Sequence, residues 1–297
     1  MEEGDTVMWS SRSLALFSVG MGIMAAIFTQ MGLYSVHMIW NVPITFNLLT
    51  WCTHWMKELG LWSLIHLLNV LVLSTFLLML LYIIKHAVRT MNVHKYIRWL
   101  KDDNASKKLA SRYKHLHLEQ QLIVISAAEP VALAFGMFRR RIVLSTGLMD
   151  MLDEHELNAV LYHEYYHLRH YDPLKTFLLT LSVSILGYVP ILKNILANYK
   201  MVREILADNY AIKQSGSALG IGGALIKLIK SGAARRNHRM FTGAVVSPFA
   251  ADVSINDRIS RILEPDKELL LPYSKWNIAI SFIVMTALFL LFNYAHY

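Results

Sequence analysis

Cysteine is almost absent from this chain. Cys52 is the only one, which excludes an intrachain disulfide and leaves a thiol expected to pack as a small hydrophobe. Charge is scarce as well. Only 17% of the 297 residues are charged against 55% hydrophobic, too apolar a balance for a soluble domain of this length, and long apolar runs account for it. The 7 prolines and 14 glycines form no low-complexity segment, and no internal repeat is visible. The start lacks the basic region of a signal peptide and carries Glu2, Glu3 and Asp5 instead, so the first apolar run is expected to be retained. Acids are fewer than bases, giving a net charge of +8. The bases cluster beside apolar runs, which points to a topology signal and to membrane lipid as a partner, and away from direct nucleic-acid binding.

Three runs have the roughly 20 apolar residues that cross a bilayer: Leu14–Tyr34, Leu61–Ile84 and Trp276–Tyr294. Residues 36–56 are interrupted by Asn41, Pro43, Asn47 and His54 and carry Trp40, Trp51 and Trp55. They read as a turn plus an interfacial helix, with a further spanning helix left open. Directly after Ile84 come Lys85, Arg89, Lys95, Arg98 and Lys101, followed by more bases up to Lys114 and only two acids, Asp102 and Asp103. The positive-inside rule places this side in the cytoplasm of a multi-pass cell-membrane protein. Residues 1–84 are thus expected to form an N-terminal membrane region, 85–273 a cytoplasmic domain, and 274–297 a C-terminal transmembrane helix.

Within that domain, 122–126 and 141–145 read as short strands, and Val131–Gly136 as another strand at a sheet edge. Asp153 and Glu156 form a capping-box pair that starts a helix, and Asp172-Pro173 stops it near Tyr171. Inside this helix stands His163-Glu-Tyr-Tyr-His167, an H-E-x-x-H motif. Positions i and i+4 share a helix face, so both imidazoles can reach one metal with Glu164 beside it. A catalytic zinc takes three protein ligands and a water. His170 lies about 10 Å along the axis from His163, too far for a shared ion. The better third ligand is Glu204, with Asp208 one turn on to accept a hydrogen bond from a ligand histidine.

These segments resemble the membrane zinc metalloproteases of the beta-lactam-sensing antirepressor family, the penicillinase and methicillin-resistance signal transducers. Ala134-Phe135-Gly136 with Arg141–Leu144, Glu154–His167, Arg169–Asp172, Tyr188-Val189-Pro190, Glu204–Asp208 and Arg258-Ile259 carry the resemblance, in the family's order. The core is also similar to the heat-shock and prenyl-protein membrane zinc peptidases. The resemblance implies a mostly α integral membrane protein with a gluzincin-like α+β cytoplasmic zinc metalloprotease domain, built of a small sheet plus an active-site helix. It implies one zinc per chain, a helix-turn-helix repressor or the chain itself as protein substrate, and Arg258 in a transition-state or structural role. No penicillin-binding sensor follows the last apolar run, so beta-lactam sensing by this chain alone is not expected, and the His-Pro of the heat-shock relatives is missing.

The expected chemistry is peptide hydrolysis at zinc held by His163, His167 and Glu204, with Glu164 as general base. Substrate is expected to add as a strand along Val131, Ala132, Leu133, Ala134, Phe135 and Gly136. Regulated signalling is the leading role, with membrane-protein quality control and a non-catalytic receptor with a structural metal as alternatives, and a homo-oligomer is open. One constraint follows from the ligands. Residues 174–196 are apolar enough to cross a membrane, yet Glu204 must return to His163 and His167. The run is therefore expected not to span: a helix to about Leu186, a bend at Gly187 and Pro190, then a helix into Glu204.

Overall fold

A computed structural model describes residues 3–42, 47–232, 246–248, 255–263, 276, 279 and 280. The expected C-terminal transmembrane helix lies almost wholly outside the described residues. The chain divides into two compact units, one of Met1–Leu14, Lys85–Phe177 and Ala197–Leu270, the other of Ala15–Ile84, Leu178–Leu196 and Leu271–Tyr297.

The apolar unit draws on α1 (Glu3–Trp40), α2 (Leu48–Glu58) and α3 (Trp62–Leu100). Helices α1 and α3 are long and apolar enough to cross a membrane. Both outrun the apolar stretches that mark them, because helix formation continues into polar flanks: α3 carries on through the basic residues after Ile84. Leu67, Val70, Leu73 and Leu77 of α3 are exposed, as side chains facing lipid would be. The inner contacts are fewer and specific. Met31, Tyr34 and Val72 cluster, and the Tyr34 hydroxyl donates to Asn69. Asn41, at φ 54°, ends α1. The buried Asn47 then caps α2 by accepting from the Leu49 and Thr50 amides, and donates to the Gln30 carbonyl at 2.9 Å. With 11 residues, α2 is about 16 Å long, half of what a crossing needs.

The second unit holds a five-stranded sheet in the order β1-β2-β4-β3-β5: β1 (Lys101–Asp102), β2 (Leu122–Ile125), β3 (Ala132–Phe135), β4 (Arg141–Ser145) and β5 (Val246–Pro248). Strands β2 and β4 run parallel and every other pair antiparallel. Both faces of β2 and β3 are covered, which is why their sequences are unbroken apolar runs. Ala132, Ile142 and Leu144 face a core shared with α6 (Glu154–Arg169), while Leu133, Phe135 and Val143 face Ile97 on α3.

Here one expectation is corrected. The strand Val131–Gly136 is not at an edge. β5 pairs with its outer side, Ala134 opposite Ser247 and Phe135 opposite Val246, so β3 is an inner strand. A three-residue strand has too few positions to show alternation in sequence.

Among the described residues, six more α-helices complete the unit or lead out of it. α4 (Asp103–Arg112) and α5 (Thr146–Met151) flank the sheet, and α9 (Ala218–Lys230) packs on α6. Gly220 allows that packing, since a Cβ there would lie 2.9 Å from the His155 carbonyl oxygen. α10 (Ile255–Leu263) adjoins α9. The helix α6 stops at Arg169, slightly before the expected Tyr171, and Tyr171 turns the chain with φ 58°. Asp172-Pro173 does end that helix, and it also opens the next, α7 (Asp172–Ile185), with proline in the first turn where its missing N–H costs nothing. After a break at 186–190 comes α8 (Ile191–Ser215). With 14 residues, α7 is about 21 Å long.

Candidate metal centre

His163, Glu164 and His167 project from the buried side of α6, and Glu204 and Asp208 from α8. His163, Glu164 and His167 have no exposed surface, and Glu204 very little. The Nε2 atoms of His163 and His167 lie 3.0 Å apart. Glu204 completes the group, with Oε2 3.6 Å from His163 Nε2 and Oε1 3.5 Å from His167 Nε2. Donors held about 2.0–2.1 Å from one tetrahedral ion stand roughly 3.3 Å apart, so this spacing fits zinc. The remaining ring nitrogens support the same reading. His163 Nδ1 lies 2.8 Å from Asp208 Oδ1, and His167 Nδ1 lies 2.7 Å from Asp172 Oδ2. An imidazole that donates through Nδ1 presents a lone pair at Nε2. Two such lone pairs and a carboxylate oxygen converge on one point, which is the donor set of a divalent cation.

Two arginines hold the supporting carboxylates. Arg258, almost fully buried on α10, donates to both oxygens of Asp208 at 2.7 and 2.6 Å and reaches Glu204 at 2.9 Å. Arg203 donates to Asp172 at 2.6 Å and to the Tyr166 hydroxyl at 3.3 Å. These contacts set the ionisation of the acids. Burial would raise Glu204, Asp208 and Asp172, but Arg258 beside the first two and Arg203 beside the third pull all three below the ordinary carboxylate range.

Glu164 differs. Burial pushes its carboxyl up to about 8, against the pull of His163 and the Ala134 backbone amide. For His163 in the metal-free chain, burial favours the neutral ring, yet Asp208 and Glu204 outweigh it and raise the pKa to about 9.

Every residue proposed from the sequence as ligand, base or supporting acid is therefore brought to one place, Arg258 included. His170 stays out. It caps α6, its Nδ1 lies 2.8 Å from the Tyr166 carbonyl oxygen, and its ring stacks on Tyr166. The strand β3 meets the site through Ala134, close to Glu164, but offers no open edge. Sequence reasoning missed Asp172 and Arg203. Asp172 registers in sequence only as a helix breaker, and its approach to His167 depends on the left-handed turn at Tyr171. Arg203 directly precedes Glu204, and that adjacency was the available signal.

The family model described as BlaR1 peptidase M56 matches residues 33–262. The chain belongs to the M56 peptidase family. No curated protein matches it. Membership makes the chain a membrane-associated peptidase of a metallopeptidase family whose members generally act in signalling, in keeping with its two long apolar helices and its buried His-His-Glu group. The matched stretch includes α2 and α3, the sheet, both helices of the metal group and Arg258.

Proposed function

We propose that this M56 peptidase is an integral membrane zinc endopeptidase that cuts a cytoplasmic or membrane-proximal protein. The observation that carries the reading is three buried donors 3.0–3.6 Å apart, with the Glu164 carboxyl on the same helix face region and close to β3. His163, His167 and Glu204 would hold one zinc ion. When bound, zinc supplies the Lewis acidity that activates a water and polarises a peptide carbonyl. Glu164 accepts the water's proton at its carboxylate and returns it to the leaving amine. Asp208 and Asp172 fix the tautomer and orientation of the two imidazoles. The donors of Arg258 point to Asp208 and Glu204, which favours its structural role over direct stabilisation of a transition state.

Among the described residues, no fourth His, Cys, Asp or Glu joins the group of three, and a structural zinc is usually closed by four protein ligands. That favours the enzyme over a receptor with a structural metal. A peptide laid along β3 would need the position that β5 holds, so strand addition is available only where β5 yields. The chemistry of the site does not choose between a repressor, the chain itself and damaged membrane proteins as substrate. By family, a signalling role leads, and the run of bases after Ile84 supports an active site that faces the cytoplasm. The test compares cellular protein fragments in strains carrying wild type and Glu164→Ala. Fragments that vanish in the variant identify substrates; identical fragment sets under every stress applied would sink the proposal.

A further inference from the structure

The residues around the metal group are closed off. His163, Glu164 and His167 have no exposed surface, and Ala134, Arg258 and Asp208 have 4% or less. A peptide must still reach the ligands. Along the Glu204 face of α8, exposure rises toward the N-terminal end of the helix. Positions four and seven residues before Glu204 share its face, and these are Lys200 and Ala197. Glu204 is buried, Lys200 half-buried and Ala197 exposed. Asn198, Tyr199, Val202 and Arg203, on other faces of the same turns, are all buried. The stripe from Glu204 to Ala197 is thus a place where the site meets the surface, and Lys200 stands at its edge.

Lys200 has no anion of its own. Among the described residues its ammonium makes no hydrogen bond or ion pair; burial pulls it below the ordinary lysine range, and only the charge of Glu204 opposes this. Glu204 does not pair with it, because its oxygens face the Nε2 atoms of His163 and His167 and the guanidinium of Arg258. The other buried acids are taken as well. Asp208 accepts from Arg258, and Asp172 from Arg203 and His167. Glu164, without exposed surface, serves as base in the protease reading. A lysine drawn this far into a protein is ordinarily paired. The anion that fits Lys200 is one that arrives with the substrate.

Helix geometry sets the reach. Four residues rise about 6 Å along the axis. Helical side chains lean toward the N-terminus, so Glu204 leans toward the turn that carries Lys200. Residues of an extended peptide are spaced about 3.3 Å apart. With the bond to be cut held at the metal group, Lys200 therefore faces a side chain one to three residues from that bond.

We infer that Lys200 determines specificity by pairing with an aspartate or glutamate side chain of the substrate close to the bond that is cut. The inference rests on the protease reading and adds the class of substrate. The test incubates the purified full chain, in detergent micelles, with the proteins of a strain that lacks it, and sequences the new N-termini against a Glu164→Ala blank. Cuts by wild type are expected to carry Asp or Glu at one fixed position within about three residues, at least about fivefold above its abundance in the same proteins. The most frequent cut sequence is then made as an end-blocked peptide, which removes the terminal carboxylate as a partner. Changing its acid to the amide should lower kcat/KM at least about tenfold. Lys200→Met should cut both peptides alike, at the wild-type rate for the amide, with zinc per chain unchanged. Lys200→Arg should keep the preference, as should Lys213→Met at the exposed last turn of α8. Wild-type cuts with no acidic position, a preference that survives Lys200→Met, or an equal loss on both peptides in Lys200→Met would overturn the inference and leave the protease reading standing. No cuts beyond the blank would overturn both.

Discussion

At the residue scale, each proposed histidine ligand is one member of a chain of three: ligand, carboxylate, arginine. His163 leans on Asp208 and Arg258, His167 on Asp172 and Arg203. Asp172→Asn keeps the shape but weakens the acceptor for His167. Zinc affinity is expected to fall about 10–100-fold, measured by competition with a chelating dye, while the circular dichroism spectrum stays unchanged. An affinity equal to wild type would remove Asp172 from the metal's support. The metal-free chain should also show a specific pH dependence. Glu164 rises from 4.5 to about 8 and His163 from 6.5 to about 9, so each binds its proton more tightly folded than unfolded. Each contribution is whole below the unfolded value and is lost as pH rises through the folded one. Thermal midpoints of the metal-free chain are therefore expected to fall from pH 4.5 to 9, and Glu164→Gln should flatten the part between 4.5 and 8. A flat profile in wild type would contradict the buried, protonated Glu164.

At the scale of elements, α6 carries the site and depends on its neighbours for position. The capping box of Asp153 and Glu156 fixes its start, and Lys227 on α9 ties Glu156 at 2.5 Å. Gly220 lets α9 approach. Gly220→Ala places a methyl 2.9 Å from the His155 carbonyl and 3.1 Å from Ala159, and is expected to cost about 1–3 kcal/mol of stability in denaturant melts. An unchanged midpoint would mean that the two helices part freely. What was legible in sequence follows the range of the rule that reads it. Two histidines at i and i+4 on a capped helix are a local pattern, and so are Glu204 and Asp208. The strands β2 and β4 were legible as apolar runs between turns. β5 was not, since its pairing with β3 joins residues more than a hundred positions apart through three residues. Nor was Asp172, whose role needs one left-handed residue that no periodicity announces.

At the scale of the whole molecule, the question is how an apolar run of 23 residues between the ligands relates to the membrane. Its two ends meet: Asp172 before it bonds Arg203 after it at 2.6 Å. Between them the chain leaves along α7 for about 21 Å, breaks at 186–190, and comes back along α8. That length falls short of the roughly 30 Å hydrocarbon layer. The run is therefore expected to go out and return on one side of the membrane. A reporter fused after Asn198 is expected to report the same compartment as one fused within 101–121; opposite compartments would overturn both this topology and Glu204 as ligand.

The central claim is a zinc centre in which Glu164 moves the proton. Its most direct test is to purify wild type and Glu164→Ala side by side, measure zinc per chain by atomic emission, and follow cleavage of a substrate found in the cellular fragment comparison. The account predicts one zinc per chain in both, with hydrolysis in the variant reduced at least about 100-fold. Cleavage above a few per cent of wild type with zinc retained, or active wild type that holds no zinc, would contradict it.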